Sequence, residues 1–154
     1  MDERFVREAV ALATASVASG GGPFGAIVVR AGEMLGRGVN RVTRDHDPTA
    51  HAEVVAIRDA CTNIGDFRLD GCTLYVSCMP CPMCLAASYW ARLTRVIYAA
   101  RAEDAAAVGF DDVSIASELG IPADQRRLPL IHLPVQDGLA PLQAWARKSD
   151  KIPY

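Results

Sequence analysis

No apolar run in this sequence is long enough to cross a bilayer, and no block of like charge interrupts it. The first absence argues against a membrane-spanning protein, the second against a charged tail. Lysine and arginine number 16 against 18 acidic residues, for a net charge of −2, and the longest basic runs are pairs such as Arg126-Arg127. Polyanion binding rests largely on neutralising phosphates, so this balance disfavours a nucleic-acid partner. Internal repeats, linkers and low-complexity tracts are missing too. One domain over residues 1–154 is the expected organisation. Behind Met1-Asp2-Glu3-Arg4 stands no apolar run, so no secretory signal is expected.

An even cysteine count is also lacking. There are five, two of them spaced as C-x-x-C. That suits a metal or catalytic role in a reducing compartment better than a disulfide framework, and the expected location is the cytoplasm. What the chain does have is apolar residues, 51% of the total, enough for a sizeable core without staples.

Phe5, Ala9, Leu12 and Ala13 follow helical spacing and predict a helix over 2–18, ended by Ser19-Gly20-Gly21-Gly22-Pro23. Phe24–Arg30 reads as a buried strand, Ala31-Gly32 as a tight turn and Met34–Val39 as the returning strand. Residues 40–50 read as a polar loop. A helix is expected from about Ala50 to Cys61, with Thr49 placed to cap it. Strands follow at Cys72–Ser77 and Arg95–Ala100, with a helix from Cys81 to about Trp90 between them. Short helices are expected near 103–107 and 113–119, a last strand at Leu128–Leu133 and a closing helix at 139–149. One hairpin followed by helical crossovers predicts a three-layer α/β/α sandwich with a mixed central sheet of about five strands.

Two short runs carry chemistry: His51-Ala52-Glu53 and Pro80-Cys81-Pro82-Met83-Cys84. A catalytic zinc takes three protein ligands and keeps a position for water. His51, Cys81 and Cys84 supply such a set, one zinc per chain. Cys81 and Cys84 share a face at a helix start, where thiolates are favoured. Glu53 lies in the first turn after His51 and can act without ligating. It is the expected general base and acid, passing a proton from water to a ring nitrogen and a leaving amine. Taken singly, C-x-x-C also suits a redox pair, and His51 a satisfied core histidine. A structural zinc would need a fourth ligand, for which Cys78 is the nearest spare. Cys61 and Cys72 read as small buried residues.

H-x-E followed by P-C-x-x-C is the general signature of zinc-dependent base deaminases. The chain resembles the cytidine-deaminase-like superfamily, and within it the bacterial guanine-deaminase branch. The likeness extends over Gly21–Ala26, Asn40, Asp47–Glu53, Pro80–Leu85, Tyr89–Arg92, Gly109–Asp112 and the terminal Tyr154. It implies hydrolysis of guanine to xanthine and ammonia. It also implies that Asn40, Asp112 and Tyr154 hold the purine base. Phe24 and Trp90 would flank its ring, and the Ala52 backbone N–H would sit beside the attacking oxygen. In that branch the C-terminal segment, here about 139–154, crosses to the partner of a homodimer and closes its pocket. One position departs from the pattern: Met79 stands where many relatives carry an acid, which bears on polarity around the metal.

Guanine has a flat face for stacking and N–H donors that a carboxylate accepts; an amide such as Asn40 can serve an acceptor and a donor at once. Plainer roles exist for each residue: a turn for Asn40, a helix cap for Asp112, core for Trp90, a frayed end for Tyr154. The rival functions are tRNA adenosine deamination, deamination of guanosine, cytosine or another amino-heterocycle, and a zinc-stabilised interaction module.

Overall fold

A computed structural model describes residues 1–154. Its elements run α1 (Asp2–Ala18), β1 (Gly25–Arg30), β2 (Glu33–Val39), α2 (Val42–Asp45), α3 (Ala52–Ile64), β3 (Thr73–Cys78), α4 (Pro82–Trp90) and β4 (Arg95–Ala100). After these come α5 (Ala102–Ala106), α6 (Asp112–Gly120), a 3₁₀ turn at Ala123–Gln125 and α7 (Ala140–Arg147). Residues Met1–Ser117 and Glu118–Tyr154 gather into two separate units.

In the first unit, four strands form one sheet in the order β2-β1-β3-β4. β1 pairs antiparallel with β2 and β3, and β3 pairs parallel with β4, so the sheet is mixed as expected. The β1–β2 hairpin turns on Ala31 and Gly32, both at positive φ, which matches the right-handed twist of the two strands. Alternation along the strands loads both faces. Ala26, Val28, Leu74 and Val76 pack with Ala52, Ala56 and Ala60 of α3, while Ile27, Val29 and Tyr75 pack with Phe5 of α1. Helices thus cover both sides of the sheet, the three layers that the sequence implies.

Small residues set how closely the layers approach. A β-carbon on Gly25 would stand 2.4 Å from the Ala9 carbonyl oxygen of α1, and one on Gly36 would stand 2.4 Å from the Ala60 nitrogen of α3. One edge of the sheet gathers the end of β2, the start of β1 and the ends of β3 and β4. The Asn40 N–H, just past β2, donates to the Phe24 carbonyl just before β1 at 3.1 Å. The β3-to-α4 connection opens at the same edge, where the carboxyl ends of parallel strands commonly hold ligands.

The structure corrects three expectations. The sheet has four strands, and Leu128–Leu133 forms no ladder. Pro129, inside this stretch, lacks the N–H group that a strand there would need. The stretch read as polar loop at 40–50 contains α2. Thr49 does not cap α3: its N–H and hydroxyl both turn back to Asp47 Oδ1, at 2.8 and 2.7 Å, and His51 takes the N-cap position.

In the second unit, Glu118–Tyr154, no residue is fully buried. Arg127 pairs with Glu118, and the Trp145 and Tyr154 rings meet edge to face at 6.4 Å between centroids.

Candidate active site and metal centre

Two helix starts converge on one point. His51 is the N-cap of α3, and Cys81 is the N-cap of α4, followed by Pro82 in the first turn. Proline is favoured there because its missing N–H has no helical partner to lose. His51 Nδ1 lies 3.6 Å from Cys81 Sγ and 3.5 Å from Cys84 Sγ. The three ligand atoms fall within 4.8 Å of one another.

These separations suit a tetrahedral zinc. Bonds of about 2.3 Å to sulfur and about 2.0–2.1 Å to nitrogen, opened to the tetrahedral angle, require a sulfur–nitrogen distance of about 3.6 Å. Cys78 does not enter the cluster. Its thiol donates to the Arg101 carbonyl at 3.4 Å, so it does not close a four-residue structural site. Cys61 and Cys72 also stay out, as free cysteines elsewhere in the unit.

Of the three donors, only Cys81 holds its charge in the form a cation needs. A hydrogen bond from the Cys84 thiol, assisted by His51, holds the Cys81 thiol down to about 4. The same shared hydrogen bond pushes Cys84 up, and the hydrogen bond to Cys81 raises His51. One thiolate, one thiol and an imidazole therefore share protons. A divalent cation would displace the protons on Cys84 and His51.

Glu53, at the second position of α3, is only 7% exposed and does not belong to the ligand cluster. Burial is the main cause that raises its carboxyl above the ordinary range. Such a shift suits a group that must both take up and release a proton. The Ala52 N–H belongs to the first turn of α3, whose amides find no partner within the helix.

Beside the cluster opens a cleft of about 390 Å³. Of the residues expected at the site, Phe24, Asn40, His51, Glu53, Cys81 and Asp112 line it. Cys84 is fully buried behind His51. Burial raises the Asp112 carboxyl, with the Cys81 thiolate adding to the effect. Trp90 is not brought to the cleft; it ends α4 and is 62% exposed. Tyr154 belongs to the second unit, against Trp145.

Sequence reasoning missed one wall. Phe110 lines the cleft and meets the Phe24 ring edge to face, with centroids 4.7 Å apart. It lies inside the quoted run Gly109-Phe110-Asp111-Asp112, but its partner is 86 residues earlier and no local spacing reports that contact. Met79 also lines the cleft, so its departure from the pattern falls on the site itself.

Residues 1–100 match the family model for the cytidine and deoxycytidylate deaminase zinc-binding region. The chain is 50% identical over 153 residues to guanine deaminase of Bacillus subtilis, covering 99% of this chain and 98% of the relative. The X-ray structure of a B. subtilis guanine deaminase superposes with a TM-score of 0.95 at 50% identity, over 99% of this chain and 98% of that one. A solved guanine deaminase from Nitrosomonas europaea gives a TM-score of 0.67 at 33% identity, over 70% of this chain and 63% of that one. A tRNA-specific adenosine deaminase of Aquifex aeolicus is 34% identical over 146 residues, 95% of this chain and 94% of the relative.

Proposed function

The chain belongs to the zinc-binding cytidine and deoxycytidylate deaminase family, and on that premise we propose that it hydrolyses guanine to xanthine and ammonia. The observation that carries this reading is a cleft roomy enough for a base, edged by Phe24 and Phe110, that opens on the His51–Cys81–Cys84 cluster with Glu53 beside it. The likeness to guanine deaminase over 99% of the chain selects the base. A tRNA substrate would need a basic surface and room for a flipped nucleotide, and the net charge of −2 does not favour it.

Zinc would be held by His51 Nδ1 and the sulfurs of Cys81 and Cys84, and when bound it supplies the Lewis acidity that brings water towards ionisation near neutral pH. The rest falls to the chain. In the net reaction one C–N bond of guanine breaks, one C–O bond forms, and the two protons of water end on a ring nitrogen and on ammonia. Glu53 moves both: it accepts each proton from the oxygen and releases it, first to the ring nitrogen and then to the departing amine. Asp112 accepts hydrogen bonds from purine N–H groups, and Asn40 binds the base through its amide. Phe24, backed by Phe110, shuts water away from one face of the ring. The Ala52 N–H donates to the oxygen that becomes negative.

The working unit in this reading is a homodimer of single deaminase domains, each spanning 1–154, with segment 139–154 exchanged so that Tyr154 and the surface carrying Trp90 complete a site. Support comes from the apolar side chains left uncovered on residues 118–154: Leu128, Ile131 and Leu133 are each at least three-quarters exposed. So many exposed large apolar side chains in one segment favour a covering partner. No helix is long and apolar enough to cross a membrane. Thiolate ligands with no disulfide among the five cysteines suit the reducing cytoplasm.

The decisive experiment is ammonia release from guanine, guanosine, cytosine and a tRNA anticodon stem, with zinc per chain measured on the same sample. Guanine is expected to be the preferred substrate, with one zinc bound. Release from the tRNA stem but not from guanine would overturn the reading.

A further inference from the structure

The backbone at Gly21 and Gly22 passes Asn40 with no room for a β-carbon. A β-carbon on Gly22 would stand 3.0 Å from both Cγ and Oδ1 of Asn40, and 3.2 Å from its Cβ. One on Gly21 would stand 2.3 Å from Ser16 Oγ and 3.2 Å from the Asn40 carbonyl oxygen. The loop is tied down from the other side by the Gly21 N–H, which donates to the Ser16 carbonyl at 2.8 Å. Neither Gly21 nor Gly22 has a positive φ, so what demands glycine here is space, not backbone conformation.

The Asn40 amide is also held electrically. The Val42 N–H, at the start of α2, donates to Asn40 Oδ1 at 3.2 Å. An N–H can face only the oxygen of an amide, so this bond decides which way round the amide sits. Oδ1 is engaged by Val42, and the space beside it is closed to any β-carbon at Gly22. The NH₂ group is the half left to the cleft that Asn40 lines.

We propose that Gly22 and the Val42 N–H act as positioning groups that lock Asn40 as a hydrogen-bond donor, so that it selects substrates presenting a carbonyl or ring-nitrogen acceptor. This rests on the guanine reading above and narrows it. An unclamped amide could flip and serve donors as well as acceptors; the clamp removes that tolerance. The edge of guanine bearing O6 and N7 offers only acceptors and matches the locked amide. The cost of presenting a donor to a locked donor is an unpaired polar group on each side, which is how such sites discriminate.

The test is a double-mutant cycle on Gly22→Ala and Asn40→Ala, read by guanine turnover and by guanine affinity in a Glu53→Gln background. Gly22→Ala is expected to raise KM on the order of tenfold while kcat stays within about threefold, the mark of a lost binding contact. In the Asn40→Ala background the same change should have little further effect, because the amide it displaces is gone and only the Cβ contact at 3.2 Å remains. The two substitutions adding independently would overturn the proposal. Should Gly22→Ala fail to fold, Gly22→Ala/Asn40→Ala is still expected to fold, and its failure would count against the contact. Asn40→Asp keeps the Val42 acceptor but removes the donor; it should lose guanine affinity on the order of tenfold or more, and unchanged affinity would overturn the donor assignment. Absence of guanine turnover by the unmodified protein sinks the parent reading, whereas normal turnover with an additive cycle sinks only the clamp.

Discussion

Gly38 lies directly against Ala52: a β-carbon on Gly38 would stand 2.2 Å from the Ala52 carbonyl oxygen and 2.5 Å from the Ala56 nitrogen. The first turn of α3, which carries His51 and Glu53, therefore rests on the bare backbone of β2. Gly38→Ala must shift that turn, and with it the position of His51 relative to Cys81 and Cys84. Overpacking of this kind costs about 1–3 kcal/mol or more, and a chain of this length loses about 2–4 °C of Tm per kcal/mol. The expected result is a Tm lower by about 5–10 °C together with reduced zinc per chain. A variant with unchanged Tm and full zinc would show that the helix is not held from below.

The zinc centre divides the cysteines into ligands and bystanders. Cys81→Ala or Cys84→Ala removes a sulfur from the cluster, and zinc per chain should fall towards zero with activity. Cys78→Ala removes only the hydrogen bond to Arg101 and should keep one zinc per chain. Metal analysis of the three variants separates these outcomes; loss of zinc from Cys78→Ala alone would make Cys78 a ligand after all.

Much of this centre was legible in the sequence because its residues lie close together along the chain. Cys81 and Cys84 are three apart at one helix start, where spacing puts them on a shared face, and His51 and Glu53 are two apart at another, where the first turn rather than periodicity pairs them. The two pairs meet because β2 and β3 end on the same side of the sheet and lead into the α3 and α4 starts. The unread parts are those that depend on distant partners or on missing hydrogen-bond donors. Phe110 finds Phe24 across 86 residues. Leu128–Leu133 has the apolar pattern of a strand, but Pro129 inside it offers no N–H to a ladder. Asp47 captured Thr49 before it could cap α3. Trp90 carried a role in the resemblance that the single chain does not place at the cleft.

Glu53→Gln keeps the shape of the buried side chain and removes its ability to carry a proton. Zinc should remain at one per chain. Turnover should fall at least 10²–10⁴-fold, about what a positioned acid–base group contributes, and further if both proton transfers pass through it. Rates of ammonia release at saturating guanine decide the matter; activity within tenfold of the unmodified protein would remove Glu53 from the role.

Stability at the extremes of pH should report the tie between α1 and the sheet. The Tyr75 hydroxyl donates to Asp2 Oδ1 at 2.6 Å, and Arg95 pairs with the same carboxylate at 3.1 Å. The Tyr75 hydrogen bond is the chief cause that holds Asp2 below its ordinary 3.8. A depressed carboxylate stabilises the fold above its unfolded value, and that contribution disappears as pH falls through the folded value. Tyr75 runs the other way: burial and then Asp2 raise it above 10, so its contribution is intact below 10 and fades as pH climbs through the raised value. Asp2→Ala should therefore lower Tm at pH 7, and the gap should close as pH drops below 3.8. A gap that stays constant down to pH 2 would mean that the carboxylate charge plays no part.

The last residue tests the assembly. Tyr154 is 73% exposed in the single chain, and the segment before it carries Leu139, Leu142 and Ile152, each about two-thirds exposed. Burying those side chains against a second copy would recover about 25 cal/mol for each Å² of apolar surface removed from water. If the exchanged segment delivers Tyr154 to a partner's cleft, removing that one residue should leave zinc content, Tm and dimer mass unchanged. Guanine deamination should fall at least tenfold, mainly through KM, because the lost contact is to the bound base. Removing the whole segment 139–154 should in addition convert dimer to monomer in sedimentation. Full activity without Tyr154 would exclude it from any site, and a dimer that persists without the segment would place the subunit contact elsewhere.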